Sequence, residues 1–409
     1  MIRVLAIVSV LAAFLSYVIY SPMPDGIAEP HKLMLFDGAL RIQHHLGRVV
    51  SFFGIRSQPD MLRTVYENPL FGLQDPPKSM KAYFTRMDGI RVRVYEPMKR
   101  KTELLPGLMY FHGGGFVFGT LDLYDETLLN LARKLKIIIV SVDYRRAPEH
   151  KFPAAFKDCS RATRYLLNNA EQFNVDLLKI AVAGDSAGGN LAAAVALQLS
   201  KDINLPPLVF QALIYPVLQA VDFTLPSYLE NEKATPGILA DRRLIAWFLS
   251  NYALGNDSAT DALLDGRAFS HIQRSDKSFT LDHVSHENIK SIFSKKGHSP
   301  PRMRNDSHIS NQLYRIITNP TFAPLMAEDH ELQQVPPAYI LTAGFDMLRD
   351  DGILYLQRLE ENNITVKWEH FHDGFHGMFM LGGGPVTFEV GRDARKSFIE
   401  YARHMLKFV

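Results

Sequence analysis

The first stretch of the chain is almost wholly apolar: Val4 to Tyr20 is broken only by Ser9 and Ser16. At 1.5 Å per residue this run is about 25 Å long as a helix, near the lower limit for crossing a bilayer. Residues 21–80 are irregular. A helical pattern runs from about His31 to Phe53, with Leu33, Leu35, Phe36, Leu40, Ile42 and Leu46 as its apolar positions. That helix would cover the body of the protein or lie along a membrane.

Beyond residue 80 the period changes. Ala82 to Arg86 and Ile90 to Tyr95 flank Asp88-Gly89, a hairpin signal. Short apolar runs follow at Leu108–Phe111, Lys136–Val142, Lys179–Ala183, Leu208–Tyr215, Ala338–Ala343 and Val366–Phe371. Helical stretches are predicted at about Ala154–Asn168, from Asn190 through Leu197, at Asp350–Glu361 and at the C-terminus. Strands alternating with helices at this spacing imply a parallel sheet covered on both faces. Between about 217 and 335 the alternation is lost. This stretch reads as an insertion, with a helix near Arg242–Leu254 and a polar part carrying Arg267, Lys277, Lys290, Lys295, Lys296, Arg302 and Arg304. The expected organisation is an anchor at 1–20, a cap segment at 21–80 and a catalytic domain at 81–409 holding the insertion.

Composition narrows the function. Lys and Arg number 45 against 43 Asp and Glu, a formal charge of +2, so no whole-chain field favours nucleic acid. The one cysteine, Cys159, excludes an intramolecular disulfide and a cysteine-based zinc site. No metal or other cofactor is implied. The apolar N-terminal run ends in Tyr17-Val18-Ile19-Tyr20-Ser21-Pro22, too bulky for a good signal-peptidase site, so an uncleaved anchor is preferred to a cleaved signal. Arg3 precedes the run, and Asp25 and Glu29 are the first charges after it, which leaves the body on the far side of the membrane.

The chemistry centres on Gly184-Asp185-Ser186-Ala187-Gly188, between a buried strand and a helix. Gly-x-Ser-x-Gly in that context is a nucleophile elbow. A serine needs a base, and the base needs a third group to hold its tautomer. Asp346 is the first carboxylate past its strand, and His376 lies in a loop between Gly374 and Gly377. Asp350 and Asp351 read instead as helix caps, and His370 and His372 as structural or solvated. His112-Gly113-Gly114-Gly115 follows a strand and offers backbone N–H groups to a developing oxyanion. Gly113, Gly114 and Ala187 are the expected donors. A phosphate-binding loop is the competing reading, but no Gly-Lys-Ser/Thr and no Gly-x-Gly-x-x-Gly accompanies it, which argues against a nucleotide.

These motifs, with Asp143-Tyr144-Arg145-Arg146-Ala147-Pro148-Glu149-His150, resemble the hormone-sensitive-lipase branch of the α/β-hydrolases. Within it the chain is most similar to the arylacetamide-deacetylase-like group. Where the namesake of that group has two cysteines, this chain has Val117 and Ala343. The resemblance implies an α/β-hydrolase fold, with a mostly parallel eight-stranded sheet, helices on both faces and a helical cap. It also implies hydrolysis of small-acyl esters or amides of apolar partners, by an enzyme anchored in the endoplasmic reticulum with its body in the lumen. Three sequons, at Asn256, Asn305 and Asn363, agree with a lumenal body.

Overall fold

The computed structural model describes residues 23–52, 57–67, 75–98, 104–232, 242–266, 281–289 and 313–406. The expected anchor, the sequon at Asn305 and the basic residues Arg267, Lys277, Lys290, Lys295, Lys296, Arg302 and Arg304 lie outside the described residues. Among the described residues no helix is long and apolar enough to cross a membrane.

Among the described residues two helices precede the sheet, α1 (Pro30–Phe52) and α2 (Gln58–Tyr66). Strands β1 (Met80–Met87) and β2 (Ile90–Pro97) form the expected hairpin. Asp88 and Gly89 both take positive φ, 47° and 79°, as a tight hairpin turn requires. There follow β3 (Leu105–Phe111), α3 (Asp125–Leu135), β4 (Ile138–Val142), α4 (Ala154–Asn168) and β5 (Val175–Asp185). After these come α5 (Ala187–Leu199), β6 (Gln211–Ile214), α6 (Pro226–Asn231) and α7 (Arg242–Leu254). The described chain ends with β7 (Ala338–Phe345), α8 (Arg349–Glu361), β8 (Val366–Phe375) and α9 (Glu389–Leu406).

The sheet has eight strands in the order β1-β2-β4-β3-β5-β6-β7-β8. β1 and β2 are antiparallel to their neighbours, and the other pairings are parallel. Successive residues of a strand face opposite sides, and β3 shows this directly. Met109 and Phe111 join the core under α4, α5 and α8, while Leu108 and Tyr110 join the core under α3 and α9. A sheet buried on both faces needs unbroken apolar strands, and β4 and β6 are buried throughout.

The differences from expectation are local. α3 occupies a stretch that the pattern left unassigned, although Leu128, Leu131, Ala132 and Leu135 have helical spacing and are buried. Lys136 does not open β4: it ends α3 in the left-handed conformation (φ 55°). β8 runs on to Phe375, so His370 and His372 lie within it and His376 follows it directly. Asp350 and Asp351 do not cap their own helix. Asp351 accepts from the Leu218 N–H (2.9 Å) and the Gln219 amide (3.1 Å), and Asp350 from the Ser227 N–H (2.7 Å). They tie the chain beyond β6 onto α8, which the local sequence around either residue could not reveal.

Candidate active site

β5 runs straight into α5, and Ser186 is the hinge, with φ 55° and ψ −119°. The turn is crowded. A Cβ on Gly184 would overlap the Gly188 backbone, and one on Gly188 would overlap the Phe111 carbonyl. Only glycine fits either place. The Ser186 N–H donates to the Ile214 carbonyl (2.9 Å), which pins the elbow to the adjacent strand end.

The two expected partners arrive from the next strand ends. His376 Nε2 is 3.1 Å from Ser186 Oγ, and His376 Nδ1 is 2.9 Å from Asp346 Oδ2. With the Nδ1 proton on the carboxylate side, Nε2 is left to accept the serine proton. The second oxygen of Asp346 accepts the Leu348 N–H at 2.8 Å, so the carboxylate is held at both ends. Burial pulls the imidazole pKa down, but the Asp346 charge, its hydrogen bond and the Asp185 charge outweigh that and hold it above the ordinary value. Tyr215 packs its ring 4.7 Å from the imidazole.

The glycine loop departs from expectation at one position. The Gly113 N–H is committed: it donates to Tyr124 Oη (2.7 Å) and faces Asp185 Oδ1 (3.1 Å). It is therefore not an oxyanion donor. Gly114 and Gly115 line the cavity that holds Ser186, and among the described residues their N–H groups find no acceptor. Ala187 opens α5, where the first N–H groups have no partner within the helix. The donor set this geometry offers is Gly114, Gly115 and Ala187.

Asp185, read from sequence only as part of the motif, has a wider part. It is buried and accepts from Tyr110 Oη (3.0 Å) and Tyr124 Oη (2.9 Å) as well as from Gly113. Burial pushes its pKa up to about 6, against those donors and His376. It rivets the elbow to the glycine loop. His112 is structural: its ring stacks on Tyr144 at 4.2 Å, and burial takes its pKa down to about 3. His370 bonds Thr342 Oγ1 (2.9 Å), as a structural histidine would. Val117 and Ala343 are both fully buried.

Ser186, Asp346 and His376 open into a cavity of about 230 Å³. Its walls are mostly apolar, with Phe36 and Leu40 from α1, Phe118 from the loop after β3, Ile245 and Phe248 from α7, and Met380, Leu381, Pro385 and Val386 after β8. Phe248 lies directly over Gly115, leaving no room there for a Cβ. Among the described residues no group of His, Cys, Asp or Glu is arranged to hold a metal ion. Asn256 and Asn363 are exposed.

This fold and site define an α/β hydrolase. The chain matches the family described as alpha/beta hydrolase fold over residues 108–279 and 286–380, and it belongs to that family, as a hydrolase of the carboxylesterase type. It is 34% identical over 404 residues to neutral cholesterol ester hydrolase 1 of Bos taurus, covering 97% of each chain. It is 35% identical over 408 residues to arylacetamide deacetylase of Bos taurus, covering 97% of this chain and 98% of the relative. Among solved structures, a thermostable carboxylesterase from a metagenomic library, EstE1, matches with a TM-score of 0.63 and 28% identity, over 86% of this chain and 98% of that one. A second, DphMB1, matches with a TM-score of 0.63 and 30% identity, over 88% and 97%.

Proposed function

We propose that the chain is a membrane-anchored serine hydrolase that cleaves carboxylic esters, and amides of similar shape, through an acyl-enzyme on Ser186. The observation that carries this reading is the continuous Ser186–His376–Asp346 hydrogen-bonded line, at 3.1 and 2.9 Å, facing an apolar cavity. Ser186 Oγ attacks the acyl carbon while its proton passes to His376 Nε2. Asp346 holds the tautomer and balances the imidazolium. The carbonyl oxygen takes up the negative charge, which the N–H groups of Gly114, Gly115 and Ala187 are set to receive. Collapse expels the alkoxide or amine, which leaves with the proton from His376. Water then enters by the same path in reverse: His376 takes its proton, the oxygen attacks the acyl carbon, and Ser186 leaves reprotonated.

The apolar walls favour a substrate without charge near the scissile bond. Similarity to a cholesterol ester hydrolase and to a deacetylase supports bulky apolar alcohols or amines as leaving groups, with a short acyl chain under Phe248. A lipid-ester lipase is the neighbouring reading, and a substrate panel of graded acyl length separates the two. A silent ligand-binding hydrolase is disfavoured, since all three reacting side chains are present and connected. The decisive experiment is labelling with a fluorophosphonate probe. Wild-type protein should label and lose activity in step, and Ser186→Ala should do neither. Labelling that survives Ser186→Ala would remove the central assignment.

A further inference from the structure

The loop that carries the candidate oxyanion donors is gripped from outside the sheet. Its geometry starts at Gly114, whose carbonyl accepts from the N–H groups of Val117 and Phe118, both at 3.0 Å. A trans peptide is planar, with its C=O and N–H pointing opposite ways. Fixing the Gly114 carbonyl therefore aims the Gly115 N–H in the other direction, and Gly115 lines the cavity. The orientation of that N–H is thus only as firm as the turn ending at Gly119.

That turn is held by α2. Arg63 Nε donates to the Val117 carbonyl (2.9 Å), and its Nη2 donates to the Ala147 carbonyl (2.9 Å). The same guanidinium makes a two-pronged pair with Glu149, 2.7 Å on each prong. Glu67, which caps the end of α2, accepts the Gly119 N–H (3.0 Å) and pairs with Arg146, and Arg146 also donates to the Gly119 carbonyl (3.0 Å). The Ala147 N–H closes the arrangement on the Phe116 carbonyl (2.9 Å). Val117 and Gly119 are reached by no other charged side chain among the described residues. The planar guanidinium fork suits Arg63 to serving three acceptor groups at once, which a lysine ammonium on its flexible stem cannot copy.

We propose that Arg63 and Glu67 are positioning residues for the oxyanion donors, so that the segment ahead of the sheet sets how well the site stabilises the transition state. The inference rests on the reading of Ser186 as nucleophile. A donor aimed at the developing oxyanion acts on the transition state and little on the ground state, so its misplacement lowers kcat and spares KM.

The test uses the full-length protein with Arg63→Met, Arg63→Lys and Glu67→Gln. Active sites are counted with a fluorophosphonate, and kcat is expressed per counted site. Removing one oxyanion donor outright costs about 100- to 1,000-fold, so a misaimed one in Arg63→Met should cost on the order of tenfold in kcat per site, with KM within about twofold. The rate of phosphonylation should fall in parallel, because the phosphoryl oxygen uses the same donors. Arg63→Lys should recover part of the loss, and Glu67→Gln, which keeps its acceptor for Gly119, should show a smaller loss in the same sense. If Arg63→Met does not fold, the other two carry the same comparison. Unchanged kcat per site, with fewer sites or a lower melting temperature, would make the contacts merely structural and overturn the inference. Wild-type protein that neither labels nor hydrolyses would instead overturn the underlying reading, and this inference with it.

Discussion

Ser186 has the chemistry of any serine until its neighbours are counted. In the proposed mechanism His376, 3.1 Å away, makes its hydroxyl nucleophilic, and Asp346, 2.9 Å from the imidazole, makes His376 a base. Because the three act as a unit, Ser186→Ala and His376→Ala should each lower kcat by about 10⁴- to 10⁶-fold, with unfolding curves close to wild type. Asp346→Asn should cost about 10³- to 10⁴-fold through the wrong tautomer. A steady-state assay of purified variants decides this, and an active Asp346→Asn beside an inactive Asp350→Asn would move the assignment to the other carboxylate. The acid limb of kcat/KM follows from the same pair. His376 must be neutral to accept a proton, and its pKa is held above the ordinary histidine value. Activity should therefore fall as the pH drops through a value above about 6.5. In Asp346→Asn the main raising influence is gone, and the limb of the residual activity should move to lower pH. A profile flat from pH 5 to 8 with chemistry limiting would argue against a histidine base. The sequence made these three residues legible because each follows a strand in the order the chemistry needs. It did not make the donor set legible in full: Gly113 and Gly115 look alike in His-Gly-Gly-Gly, and only the Tyr124 and Asp185 side chains, folded in from elsewhere, show that the Gly113 N–H is already used.

Elements that owe their form to local pattern matched expectation closely. The hairpin around Asp88-Gly89, α4 over Ala154–Asn168 and the strand-to-helix turn at Ser186 all follow from period and turn chemistry. What the pattern could not supply is the use made of polar residues by distant chain. Asp350 and Asp351 sit at a helix start, where a carboxylate ordinarily caps. Both are fully buried, and they bond the Leu218–Ser227 stretch instead. The consequence is measurable. Asp351→Ala would leave the Leu218 N–H without an acceptor in the interior and take one of the Gln219 amide's two near acceptors, the other being the Asp222 carbonyl (2.9 Å), at a cost of about 2–3 kcal/mol by chemical denaturation. A surface cap would cost about 1 kcal/mol or less. kcat per active site should be nearly unchanged, since neither group touches Ser186. A loss below about 1 kcal/mol would return Asp351 to the capping role.

At the scale of the whole molecule, the segment around α1 is joined to the body of the sheet. α1 is fastened to the chain around β8 and α9: the Ala28 N–H donates to Asp373 (2.9 Å), Glu29 accepts the Glu389 N–H (2.7 Å), and Phe36 meets Phe388 at 6.4 Å. Phe36 and Leu40 then form part of the cavity wall, while Leu35 stays exposed. The apolar run Val4–Tyr20 ends ten residues before the start of this helix at Pro30, so an anchor there would tether the cavity mouth to a membrane. We propose one uncleaved span, with Arg3 on the cytosolic side and Ser186 in the lumen of the endoplasmic reticulum. The body has its own core, so a chain starting near Pro24 should fold and hydrolyse esters. It should still adsorb to vesicles more than its near-neutral charge explains if the exposed part of α1 meets lipid. Protease added to sealed microsomes should leave the body intact, and endoglycosidase should shift its mobility if Asn256, Asn305 or Asn363 carries a glycan. Digestion of the body in sealed vesicles would reverse the orientation, because a lumenal domain is beyond the protease. A mature N-terminus found near Ser21 would mean a cleaved signal and a released enzyme. The segment around α1 would then have to hold the cavity wall without an anchor, through Ala28, Glu29 and Phe36 and the buried Ile27 and Leu33.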